Sequence, residues 1–145
     1  MSFLEKEINS KPYFTEKEYN QLSSEIIRCA IEVHKELGPG LLESVYEICL
    51  LRELINAGIE AKRQVPVPII YKEELLDKEF VIDLLVENKI IVEVKAKETI
   101  LKIHEFQLGT HLKLSGIKLG LLINFNVVLL KDGLRRRVNG NLNGF

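Results

Sequence analysis

Three residues on two neighbouring apolar segments have the types and spacing to do chemistry together. Asp83 lies in the run 79–86, and Glu93 and Lys95 lie in the run 90–96. Two carboxylates and a lysine on one sheet face suffice for metal-assisted hydrolysis of a phosphodiester. The acids hold a hard divalent cation together with phosphate oxygens. The lysine positions or deprotonates a water, or stabilises charge that builds on the phosphate in the transition state.

Whether the three groups meet depends on the backbone. Side chains alternate faces along a strand, so Glu93 and Lys95 share one face while Val92, Val94 and Ala96 take the core side. If 87–89 form a three-residue loop, Asp83 falls directly opposite Glu93, with Cβ atoms about 5 Å apart. A two-residue turn would put them on opposite faces. Like charges so placed repel, and a bound cation resolves the conflict; Mg²⁺ is the expected ion, with Mn²⁺ as a substitute. An E-x-K pair in a strand is commonly just a Glu–Lys ladder on a surface hairpin. Here Val81, Leu84, Leu85, Ile90 and Ile91 surround it, which argues for a central position, where charges are unusual without a task.

Other residues have two readings each. Glu43, in the first turn of a predicted helix, is either a complement to the helix dipole or a third carboxylate for the site. Tyr46 shares its face and reads first as core packing with a polar tip, second as an accessory to the site. His104 and Gln107 share a face of the helix after Lys95, either solvated or reaching the site. His34 and His111 read as structural or surface residues. Lys62, Arg63, Lys102 and the run Arg135-Arg136-Arg137 are candidates for a basic rim that contacts a nucleic-acid backbone; Arg135 and Arg137 share one strand face. The turn Gly38-Pro39-Gly40 opens a helix but lacks the G-K-[ST] of a phosphate-binding loop.

The elements that position these groups are legible in the pattern. Thr15 and Glu18 form a capping-box signature, and Leu22, Ile26, Cys29, Ala30, Val33 and Leu37 recur at helical spacing. After the Gly-Pro-Gly turn, Leu42, Val45, Tyr46, Cys49, Leu50 and Leu54 give the buried face of a second helix, which Gly58 ends. Residues 64–71 read as a strand that Pro66 and Pro68 push to a sheet edge. A charged turn over 72–77 follows, then strands at 79–86 and 90–96. A helix over 101–114, with Gly109 as its weak position and stopped by Gly116, leads to a strand at 118–124. Asp132-Gly133 predicts a hairpin between 127–131 and 134–138. Residues 1–14 and 139–145 read as tails. The order implies one domain with a mixed central β-sheet flanked by helices, an α/β fold with two N-terminal helices and a C-terminal hairpin.

Bulk properties narrow the class. The 145 residues suit one domain, and 46% hydrophobic with 28% charged residues reads as globular. No run approaches the roughly 18 apolar residues of a membrane span, and the acidic N-terminus does not read as a secretory signal, so a cytoplasmic location is expected. Cys29 and Cys49 fall on apolar helix faces and read as reduced and buried. The net charge of -1 argues against a broad, non-specific grip on nucleic acid, leaving a cation and a local basic patch to do that work.

The segment Gly40-x-x-Glu43-x-x-Tyr46 resembles the signature of the GxxExxY proteins, a family within the PD-(D/E)xK nuclease superfamily. The likeness continues through RQVPVPIIYKEELLDKEFVIDLLVENKIIVEVKAKE and HEFQLGTHLKLSGIKLGLLINFNVVLLKDGLRRRV, covering about residues 20–138. The resemblance implies a restriction-endonuclease-like core. It implies Glu43, Asp83, Glu93, Lys95 and Gln107 as catalytic residues, with Asp83, Glu93 and Glu43 holding the metal. Ile82 stands where the superfamily's nominal motif has proline. The resulting expectation is a Mg²⁺-dependent nuclease acting on DNA, with Arg63, Lys102, Arg135 and Arg137 on the nucleic acid. The alternative is a catalytically silent module that keeps the fold and binds nucleic acid or protein. With no separate recognition domain, a homodimer or a partner protein is a further expectation.

Overall fold

The computed structural model describes residues 13–143; of the expected tails over 1–14 and 139–145, residues 1–12 and 144–145 lie outside them. Thr15 caps the first helix, α1 (Glu16–Leu37), by accepting the Glu18 N–H at 3.1 Å. Just before it, Phe14 already packs edge-on against Tyr19. Leu22, Ile26, Cys29, Ala30 and Val33 are buried, as their spacing predicts. Each larger aliphatic in that stripe contributes roughly 1.5–3 kcal/mol. Gly38 closes the helix at φ +70°, a conformation that glycine adopts without a Cβ penalty.

The second helix, α2 (Glu43–Asn56), buries Tyr46, Glu47, Leu50 and Leu54. Leu42, expected on the buried face, is the N-cap residue and is 75% exposed. It stands outside the helix and so does not follow its stripe.

A five-stranded sheet follows, in the order β1 (Ala61–Tyr71), β2 (Glu74–Val86), β3 (Ile90–Lys95), β4 (Leu119–Asn124) and β5 (Leu134–Val138). All neighbours are antiparallel except β3 and β4, which run parallel and are joined through helix α3 (Lys102–Ser115). Gly116 ends α3 in the left-handed region, the stop expected of it. Helices cover both sheet faces. Leu84, Val86, Val92, Val94, Leu121 and Ile123 pack under α1 and α2, while Ile91 and Leu122 pack with Leu108 and Leu112 of α3. The parallel pair is therefore buried on both sides, which explains its nearly unbroken apolar sequence.

Three expectations need correction. The turn between β1 and β2 is only Lys72-Glu73, with φ of +48° and +66°, so β2 begins at Glu74 and not at 79. Residues 127–131 form no strand. A short 3-10 turn, Leu130–Gly133, leads into β5, which pairs with β4. Gly133 serves a close approach there, since a Cβ would lie 2.1 Å from the Asn124 carbonyl oxygen. Finally, 139–143 are tied down: Leu142 is buried, and the Asn139 amide donates to the Leu112 and Ile117 carbonyls.

Candidate active site

The site grows from a break in the sheet. Three residues do separate Val86 from Ile90, and the ladder runs Val86 to Ile90, Leu85 to Ile91, Leu84 to Val92. One further step would set Asp83 against Glu93, and there the paired ladder ends. The same point disturbs β1. Gln64 takes φ +55°, and the pairing skips from Arg63–Leu84 to Val65–Ile82. Ile82 and Leu84, two residues apart, enter the two different cores, so the alternation of β2 breaks at Asp83.

Parting from β2 leaves β3 with two N–H groups to satisfy. Val94 donates to Asp83 Oδ2 at 2.9 Å, and Ala96 donates to Glu43 Oε1 at 3.2 Å. Buried donors left unpaired are expensive; here carboxylates from β2 and α2 take them. Glu43 thus reaches the same stretch of β3 as Asp83, and Lys95 lies between the two donors in sequence.

Glu93 is 5% exposed and bonds through Oε1 to His111 Nδ1 of α3, whose ring lies flat on Phe80, 4.4 Å between centroids and 7° between planes. Glu47, one helical turn after Glu43, is equally buried; its Oε1 accepts from Gln64 Nε2 at 2.6 Å and from Arg63 Nε at 3.1 Å. Burial pushes the Asp83 carboxyl up to about 6 against the opposing pull of the Val94 N–H; Glu47 and Glu93 add to the rise and Lys95 counters it.

The other predicted residues have varied surroundings. The Tyr46 hydroxyl has partners within the fold: it donates to the Gly38 carbonyl at 2.6 Å and accepts the Leu41 N–H at 3.1 Å, with its ring stacked on Phe125. His104 Nδ1 accepts the Leu101 N–H and caps its own helix. Gln107 is exposed, one turn before His111 on the same edge of α3. Arg63 is turned to Glu47 and so is not free rim charge. Arg136 reaches Asn20 of α1. Arg135 and Arg137 face α3: one stands 4.0 Å from Glu105, the other lies over the Phe106 ring. Lys62 and Lys102 are exposed.

Sequence reasoning missed Glu47, Gln64 and His111. Glu47 carried a signal, being four residues from Glu43 and set within the apolar stripe. His111 carried a weaker one, four residues from Gln107. Gln64 carried none, because its role follows from a left-handed backbone that glutamine rarely adopts.

Among the described residues, no three His, Cys, Asp or Glu side chains converge as a ready metal cage. Mg²⁺ needs less: one or two carboxylates, with water and phosphate oxygens completing the shell. Asp83 and Glu93 are donors of that chemistry, and the raised Asp83 carboxyl marks a place where a positive charge would be welcome.

A family model described as the PD-(D/E)XK nuclease superfamily matches residues 20–137. No curated protein and no solved structure matched the chain.

Proposed function

This chain belongs to the PD-(D/E)XK nuclease superfamily, and from that premise we propose that it is a divalent-metal-dependent nuclease acting on DNA. Its mixed five-stranded sheet between helices agrees with the restriction-endonuclease-like fold of that superfamily. The observation that carries the proposal is the parting of β2 from β3 at Asp83. The Asp83 and Glu43 carboxylates bond the Val94 and Ala96 N–H groups, on the same short stretch of chain that carries Glu93 and Lys95.

In this reading Asp83 and Glu93 hold the cation, with Glu43 supporting it from the side of α2. When bound, Mg²⁺ supplies charge neutralisation at the phosphate and a more acidic water. Lys95 then has one of two jobs at its Nζ: orienting and taking a proton from water, or meeting charge that develops on the phosphate. Gln107, exposed on α3 one turn before His111, is the residue this reading assigns to a phosphate or a water. Lys102, Arg135 and Arg137 supply the local positive charge that a chain of net charge -1 otherwise lacks.

The test uses purified protein with single- and double-stranded DNA, Mg²⁺ or Mn²⁺, and an EDTA control. Lys95→Met should lower cleavage on the order of 10²–10³-fold while keeping fold and metal binding. Asp83→Asn should lose cleavage through weakened metal binding, with partial rescue by excess cation. Cleavage undiminished in Lys95→Met would reject this site. Wild-type protein that binds metal but cuts no substrate would favour the silent binding module.

A further inference from the structure

Resting on the metal-site reading above, we infer that His111 is a positioning residue, which fixes the Glu93 carboxylate in the orientation that binds the cation. Glu93 has three rotatable side-chain bonds, and its strand alone does not decide where its oxygens point. His111 decides it. The imidazole Nδ1 takes Oε1, so Oε2 is the oxygen left for a ligand. His111 is itself held: it sits on the third turn of α3, its ring stacked flat on Phe80 of β2. The ring is thus clamped between an aromatic face and the acid it orients. Phe80 belongs to the half of β2 whose faces are exchanged by the break at Asp83. The same irregularity that frees the Asp83 carboxylate therefore also brings Phe80 under the imidazole.

Two functions of the ring can be separated, because its hydrogen bond and its stacking belong to different atoms. His111→Phe keeps the stack and removes the nitrogen. His111→Asn keeps a donor near the Nδ1 position and removes the stack. Partners that orient a metal ligand typically change affinity 10–100-fold when removed.

The experiment is calorimetric titration with Mn²⁺ alone, without DNA, alongside thermal unfolding in EDTA. The expected result is Mn²⁺ affinity about 10–100-fold weaker in His111→Phe and close to wild type in His111→Asn, with thermal stability lowered in both, by the unpaired Glu93 carboxylate in the first and by the lost stack in the second. A His111→Phe protein that is folded and binds Mn²⁺ as tightly as wild type, or more tightly, overturns the assignment. Wild type that binds no Mn²⁺ overturns the metal site itself, an outcome distinct from the first. Should His111→Asn fail to fold, His111→Phe alone still decides the matter.

Discussion

Asp83 is the residue at which burial and charge conflict most openly. Its carboxyl lies at about 6, raised by burial and by Glu47 and Glu93 despite the Val94 N–H and Lys95. The folded state therefore holds this proton more tightly than the unfolded chain does. Asp83 costs no stability below about pH 4; the cost grows as pH rises through the interval up to about 6 and is complete above it. Asp83→Asn removes the ionisation while leaving an oxygen for the Val94 N–H. In EDTA the variant should be more stable than wild type at pH 7.5, by about 1–2 kcal/mol once solvent screening of a partly exposed group is allowed for, and near parity at pH 4. Urea unfolding at the two pH values measures this. A variant no more stable at pH 7.5 than at pH 4, relative to wild type, would contradict it. The three-residue loop and the register up to Leu84–Val92 were legible, because they needed only a count across residues 87–89 and strand parity; the parting of the strands one step on, at Asp83, was not. The partners of Glu93 and Glu47 were not, because they come from α3 and β1, whose docking depends on the whole sheet.

At the scale of elements, the joint between α1 and α2 governs where Glu43 sits. The Tyr46 hydroxyl binds the Gly38 carbonyl and the Leu41 N–H, so one buried phenol ties both sides of the Gly-Pro-Gly turn to the helix that follows it. Tyr46→Phe preserves the stack on Phe125 and leaves those two backbone groups without that partner. The expected loss is about 1–3 kcal/mol, read by urea unfolding, with weaker Mn²⁺ binding as Glu43 loses its fixed approach to Ala96. Unchanged stability would mean that the turn holds its own shape. Element types were readable because the apolar periods are clean in α1, β3 and β4. The turns were not. Lys72-Glu73 carries no Asn-Gly or Gly signal, yet adopts two positive φ angles under the pull of long paired strands. Asp132-Gly133 carries the signal, but its glycine answers to the Asn124 carbonyl.

For the whole molecule, a net charge of -1 makes the distribution of charge decisive. Arg135 stands two strands from Glu93 in the same cross-strand row, through Leu122, and Lys102 opens the helix that packs over that face. Binding of duplex DNA in Ca²⁺ should weaken steeply with salt. Replacing Arg135 and Arg137 together by alanine should make the plot of log affinity against log salt shallower, by about one for every phosphate that the arginines neutralise. A slope unchanged in the double variant would move the DNA-binding surface elsewhere. Arg63, read from sequence as part of that rim, is committed to Glu47 and should contribute little to the slope.

The outermost strands have a separate consequence for the company this molecule keeps. The sheet is open at both ends, and an open edge invites another chain's strand to continue it. On β1, Pro66 and Pro68 offer no N–H, and prolines in strands lie with that missing donor toward solvent. On β5, a strand of only five residues, three successive arginines would face like charges on an incoming copy. Both ends are thus poor templates for polymerisation. The long β1–β2 hairpin can remain exposed, with Ile70, Tyr71 and Leu75 at its tip, without seeding fibrous growth through its backbone.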